Sequence, residues 1–145
     1  MLTKNEIEDR RILRKLRSGG FRLARARKSI VDLVSFGNVP FPLTGIKKNL
    51  EKGNVRADRT TIYRKILFLK KQGVICEIPL RGGKKGYKIC EEGHHHHLIC
   101  IQCNKVEDIV LKNTLDLQGK EIARQRGFKV MEHLLEFYGL CGDCQ

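Results

Sequence analysis

The residues best equipped for chemistry in this chain are two cysteine pairs, Cys100-Ile101-Gln102-Cys103 and Cys141-Gly142-Asp143-Cys144. Four thiolates from two such knuckles fill the tetrahedral shell of zinc, and a closed four-sulfur shell leaves no position for substrate, so the expected role is structural. The metal would tie a strand-like run at Cys100 to the last residues of the chain, across a longer gap than a compact zinc ribbon spans. A thioredoxin-like dithiol is the rival for either pair, but it would need a knuckle at a helix start.

His94, His95, His96 and His97 form the second constellation and are four of the five histidines in the chain. If this run is extended, alternate side chains point to opposite faces, so His95 and His97 share one side and His94 and His96 the other. One run can then serve two metals. Cys76 and Cys90 are equidistant from Gly83, and a hairpin turning there without a bulge makes them cross-strand neighbours. They are candidates to complete the His95 and His97 pair as Cys2His2, while Asp116 and His133 are candidates to complete the His94 and His96 pair as His3Asp. For Cys76 and Cys90 the plain alternative is a small buried hydrophobe.

These ligands need elements to hold them. Ile7, Ile12, Leu13 and Leu16 predict a helix stopped by Ser18-Gly19-Gly20, and Ile30, Val31, Leu33 and Val34 a second ending by Gly37. Beyond Pro40 and Pro42, Ile46 and Leu50 mark a short third helix closing at Gly53. Asp58 can N-cap a fourth, with Ile62, Ile66 and Leu69 as its buried stripe and Gly73 at its end. Arg59, Thr60, Tyr63 and Arg64 fall off that stripe near the helix N-terminus, where a recognition helix meets bases and phosphates; a solvated charged face is the plain alternative. Residues 74–78 and 87–90 flank a turn rich in Gly, Arg and Lys and predict a β-hairpin, so the first part reads as a winged helix. Glu91-Glu92-Gly93 reads as a hinge. Leu98 to Cys103 and Val106 to Leu111 then predict strands, Leu115 to Arg126 a helix stopped by Gly127, and Phe128 to Tyr138 a further strand. The expected fold class is α+β: a winged-helix DNA-binding domain over 1–90, a hinge at 91–93, and a small α/β dimerisation and metal-binding domain over 94–145 with structural zinc.

Charge follows the same division. Residues 1–89 hold 23 Lys and Arg against 7 Asp and Glu, a balance of +16, and residues 90–145 hold 6 against 9, a balance of −3. A basic domain with a cysteine-rich, acidic companion points to nucleic acid rather than membrane. With 145 residues, the chain makes one ordinary domain or two small ones that need metal or a partner to be stable. No stretch reaches the roughly 18 apolar residues of a membrane span, and no leader is evident at the N-terminus, so a cytoplasmic protein with thiolate ligands rather than disulfides is expected. A zinc hydrolase would need an open coordination position and a general base, and no HExxH arrangement is present. A constitutive zinc-ribbon RNA-binding module would leave Cys76, Cys90 and the histidines without a role.

With these residues assembled, the chain resembles the ferric uptake regulator family over nearly its whole length. The resemblance is carried by the run from Gly20 to Arg27, by Thr61-Ile62-Tyr63-Arg64, by Gly82-Gly83, by the histidine run leading into Cys100 and Cys103, and by Tyr138-Gly139 before Cys141 and Cys144. It implies a homodimer that binds palindromic operator DNA when metal-loaded and represses uptake genes, and no enzymatic activity. It also implies that Arg22 approaches the minor groove and that Tyr63 and Arg64 lie at the DNA surface; Arg59 and Thr61 of the same helix are further DNA-binding candidates. Ala24 departs from the family, in which many members have Thr, and this bears on a local helix cap. Iron and peroxide sensors of the family take a histidine from the DNA-binding domain and a carboxylate from the second wing strand. Here residues 1–93 hold no histidine and Lys88 stands at the carboxylate position. Two thiolates with two imidazoles favour zinc over ferrous iron, so the pattern is most similar to the zinc-sensing branch, with nickel, iron, manganese or peroxide sensing as alternatives.

Overall fold

The structure is a computed structural model; it describes every residue except Leu2, Gly37, Asn38, Glu92 and Asn113, and only the backbone of Lys4, Asn5 and Thr114. The fold is α+β, and the chain divides into two compact units, Met1–Cys90 and Glu91–Gln145. Of the hinge expected at 91–93, Glu92 lies outside the described residues. Among the described residues no helix is long and apolar enough to cross a membrane.

The first unit is a winged helix. Helix α1, Lys4–Ser18, starts from a capping box in which the Thr3 side chain accepts from the Glu6 N–H and the Glu6 carboxylate accepts from the Thr3 N–H. Helix α2, Arg25–Val34, begins at Ala24 without a side-chain cap. The Gly37 stop expected for it lies outside the described residues. Helix α3, Leu43–Lys52, is followed by α4, Arg59–Lys71, where Asp58 accepts from the Thr61 N–H at 2.6 Å. Their apolar stripes converge: Ile12, Leu16, Ile30, Val31, Ile46, Ile62, Ile66 and Leu69 are buried together. Each such side chain contributes about 1.5–3 kcal/mol when removed from water.

Strands β1, Ile75–Pro79, and β2, Lys85–Ile89, form the antiparallel wing. The register corrects the expected turn centre by one residue. Pro79 pairs with Lys85 and the Leu80 N–H reaches the Lys84 carbonyl, so the five-residue loop is symmetric about Gly82 rather than Gly83, and Cys76 lies opposite Lys88. Phe41 bridges Tyr87 on the other side of β2. That approach requires Gly86, because a Cβ there would lie 2.5 Å from the Pro40 Cβ.

In the second unit a three-stranded sheet has the order β4-β3-β5, from β3, His96–Cys100, β4, Val106–Ile109, and β5, Glu136–Gly139, with helix α5 over Thr114–Arg126. β3 runs antiparallel to β4 and parallel to β5. Two strand expectations are corrected. β3 begins within the histidine run and ends at Cys100, where the chain turns, and β5 takes up only the last three residues of the expected Phe128–Tyr138 span and adds Gly139. Phe128, Met131 and Leu134 are exposed, so the residues before β5 do not contribute to a sheet face within this unit.

Candidate metal centres and nucleic-acid interface

The parallel pairing of β3 with β5 sets Cys100 opposite Gly139, so the two strands end side by side and both knuckles leave the same edge. Cys100, Cys103, Cys141 and Cys144 come together with their sulfurs within 4.8 Å of one another, and Cys103 Sγ lies 3.7 Å from Cys141 Sγ. A tetrahedral zinc with bonds of about 2.3 Å separates its sulfurs by roughly 3.8 Å, so the donor set fits the ion. Backbone N–H groups of Cys103 and Cys141 hold the Cys100 thiol down at about 6. Hydrogen bonding to the Cys141 sulfur pushes Cys144 up to about 12. The cluster thus has a thiolate ready at neutral pH, and a metal would displace the protons that remain.

The histidine run separates onto two faces. His94 and His96 meet His133, with 3.0 Å between His94 Nε2 and His133 Nε2, and the three ligand nitrogens lie within 4.8 Å. Asp116 lines the same pocket as His94 and His96, but it does not come within that distance of all three imidazoles. His95 and His97 meet Asp108 on the other face. The β-sheet register causes this, because His97 stands directly opposite Asp108 on β4 and Glu136 on β5.

Three of these rings share one orientation. The Nδ1 atoms of His95, His96 and His97 lie 3.1 Å from the Gly93 carbonyl, 3.3 Å from the Leu135 carbonyl and 2.9 Å from the Glu136 carboxylate. An Nδ1–H donated to such an oxygen leaves Nε2 as the lone-pair nitrogen, the arrangement of a metal-binding histidine. His97 Nε2 is buried without a hydrogen bond; Asp108 Oδ1 lies 3.4 Å away, within ion-pair distance but outside hydrogen-bond alignment. A cation bound there would give the His97 Nε2 lone pair a partner.

Sequence reasoning missed Asp108 and Glu136. Cys76 and Cys90 are the residues that the sequence offers for this face, but in this structure the two are joined in a disulfide, with Cα atoms 5.1 Å apart, and offer no thiolate. In the off-centre register Cys90 sits diagonally from Cys76 and donates its N–H to the Val74 carbonyl.

The DNA-facing candidates lie in the first unit. Thr60, Tyr63 and Arg64 are exposed on α4 away from the buried stripe, Arg59 is exposed at its first residue, and Thr61 is half-buried. Arg22 is exposed in the α1–α2 loop, and Arg81 and Lys84 at the wing tip. The model of the Ferric uptake regulator family matches residues 18–138. The chain belongs to the ferric uptake regulator family. It is therefore a metal-responsive transcription regulator and not an enzyme. Among its relatives, the ferric uptake regulation protein of Campylobacter jejuni is 26% identical over 132 residues, covering 89% of this chain and 83% of that one. A zinc uptake regulator solved with zinc and DNA superposes with a TM-score of 0.83 at 20% identity, covering 98% of this chain and 95% of that one. The Helicobacter pylori ferric uptake regulator, described as having three functional metal-binding sites, superposes with a TM-score of 0.65 at 19% identity, covering 99% and 95%. At these identities the structural likenesses establish the fold of this family member.

Proposed function

We propose that this regulator is a cytoplasmic, zinc-responsive repressor that binds palindromic operator DNA as a homodimer and controls metal uptake genes. The metal response is carried by one observation: His97 has its Nδ1 held by Glu136 and a buried Nε2 without a hydrogen bond beside Asp108. Cys100, Cys103, Cys141 and Cys144 hold the structural zinc, and His94, His96 and His133, with Asp116 nearby, form an additional site. When reduced, Cys76 and Cys90 offer thiolates to the regulatory set with His95 and His97, and the absence of histidine from residues 1–93 supports a sulfur-containing shell. The good superposition of the zinc-and-DNA-bound relative supports the same branch.

Dimerisation is supported by the thin core of the second unit. Among the described residues Ile99, Cys100 and Val106 are its buried hydrophobics, while Leu117, Ile122, Phe128, Met131 and Leu134 are exposed and β5 is an edge strand. A second copy covers such a surface. Arg22, Arg59, Thr61, Tyr63 and Arg64 then read half-sites about one helical turn apart. A second reading, ferrous iron or manganese as the sensed ion, is favoured by the carboxylates of Asp108 and Glu136, since oxygen-rich shells suit those metals. The deciding experiment titrates zinc, ferrous iron and manganese against binding of a palindromic duplex. The zinc reading expects saturation at the lowest free concentration with zinc; equal binding by the metal-stripped protein would overturn both readings.

A further inference from the structure

The α1–α2 loop and the recognition helix α4 are joined through one aromatic ring. The Phe21 ring meets Phe68 of α4 edge-on at 4.9 Å between centroids, and the Arg27 guanidinium lies 4.0 Å above the same ring. Arg27 also donates from Nη1 to the Arg22 carbonyl at 2.7 Å, where the Ala24 N–H is a second donor. Arg22 therefore stands between two residues anchored to the ring, with its carbonyl held twice and its side chain exposed. Arg27 Nε is buried and makes no hydrogen bond, so the guanidinium is held by the ring and the carbonyl rather than by a carboxylate.

We propose that Arg27 is a positioning residue for DNA recognition: it sets the backbone of Arg22 at a fixed place relative to α4, so that the loop and the recognition helix engage one duplex in register. This rests on the reading of Arg22 as a DNA contact. Fixing the loop before binding spares part of the ordering cost that binding would otherwise carry. Lysine cannot replace Arg27, because a single ammonium lacks the planar fork that both lies on a ring and reaches a carbonyl.

The test is a double-mutant cycle on the full-length, zinc-loaded protein with a palindromic duplex at several salt concentrations. Arg22→Ala is expected to weaken binding roughly tenfold. Arg27→Lys and Arg27→Met should weaken it similarly, although the lysine keeps the charge. Arg22→Ala with Arg27→Met should be no weaker than either alone, and minor-groove protection in hydroxyl-radical footprints should be lost in all four variants. Thermal unfolding accompanies each measurement, and Arg27→Lys keeps the test available if Arg27→Met does not fold. Losses that multiply to about a hundredfold would mean that Arg27 acts independently of Arg22, and wild-type affinity for Arg27→Lys would mean that charge alone suffices; either overturns the proposal. Wild-type affinity for Arg22→Ala would instead remove the DNA-contact reading, and the proposal with it.

Discussion

Glu136 holds His97 by its Nδ1 at 2.9 Å, and by doing so it turns the buried Nε2 toward Asp108. Carboxylates that orient a ligand imidazole raise its basicity and hold its tautomer, and their loss typically weakens metal binding about 10- to 100-fold. Glu136→Gln is expected to show that loss in a competition titration against a chelator while keeping the zinc of the four-cysteine cluster. Unchanged affinity at the second site would show that the carboxylate does not orient a ligand.

Few described side chains of the second unit are buried, and the proposed structural zinc at its four gathered thiols would supply the stability that such a core lacks. Cys103→Ser removes one of the four gathered thiols, and the expected product lacks the structural zinc and is unfolded or monomeric in that unit. Metal analysis together with sedimentation checks this. A metal-free variant that dimerises and melts like the parent would refute the structural assignment.

Arg64 is exposed on the face of α4 opposite Ile62, Ile66 and Leu69. Arg64→Ala should weaken duplex binding by at least severalfold without altering dimerisation, and if the contact is to phosphate the slope of log affinity against log salt should fall by about one. Identical affinities of parent and variant at every salt concentration would move the interface elsewhere.

The Cys76–Cys90 bond makes the proposed regulatory thiolates dependent on redox state. Under reductant, zinc should promote operator binding; after oxidation by a small-molecule disulfide, which leaves as two thiols, the zinc requirement should rise by at least tenfold. Cys90→Ser should keep the structural zinc and the dimer but lose the zinc response in both conditions. A parent-like response from Cys90→Ser would confine the switch to the histidine and carboxylate set of the second unit.

Glu77 links the wing to α4 and to its own hairpin, accepting from Lys70 and Lys85 at 2.9 Å each. Burial alone would raise its carboxyl, but the two lysines outweigh that and hold it below its ordinary value. A depressed acid stabilises the fold above its unfolded value, and that contribution is lost as pH falls through the folded one. Glu77→Gln should therefore cost about 0.5–1 kcal/mol near neutral pH and progressively less below the ordinary 4.5. A difference between parent and variant that does not change with pH would assign its effect to packing.

The family, the helices and the grouping of the four knuckle cysteines were legible in the residues alone. Helical spacing at Ile62, Ile66 and Leu69, the Asp58 cap and the glycine stops are local signals, since each depends on atoms within one or two turns of chain. The paired knuckles were legible for the same reason: each supplies two ligands three residues apart. The Thr3 and Glu6 capping box was equally local and could have been read from its spacing. Only tertiary structure decided the partners of His97. Asp108 and Glu136 are brought to it by sheet register, and a one-residue slip would face each strand the other way. The same applies to Cys76 and Cys90, where the position of a five-residue loop, one residue from the symmetric expectation, determined which side chains are opposite and which diagonal. Spacing along the chain encodes contacts within an element, whereas contacts between strands depend on the packing that selects one register among several with similar local energy.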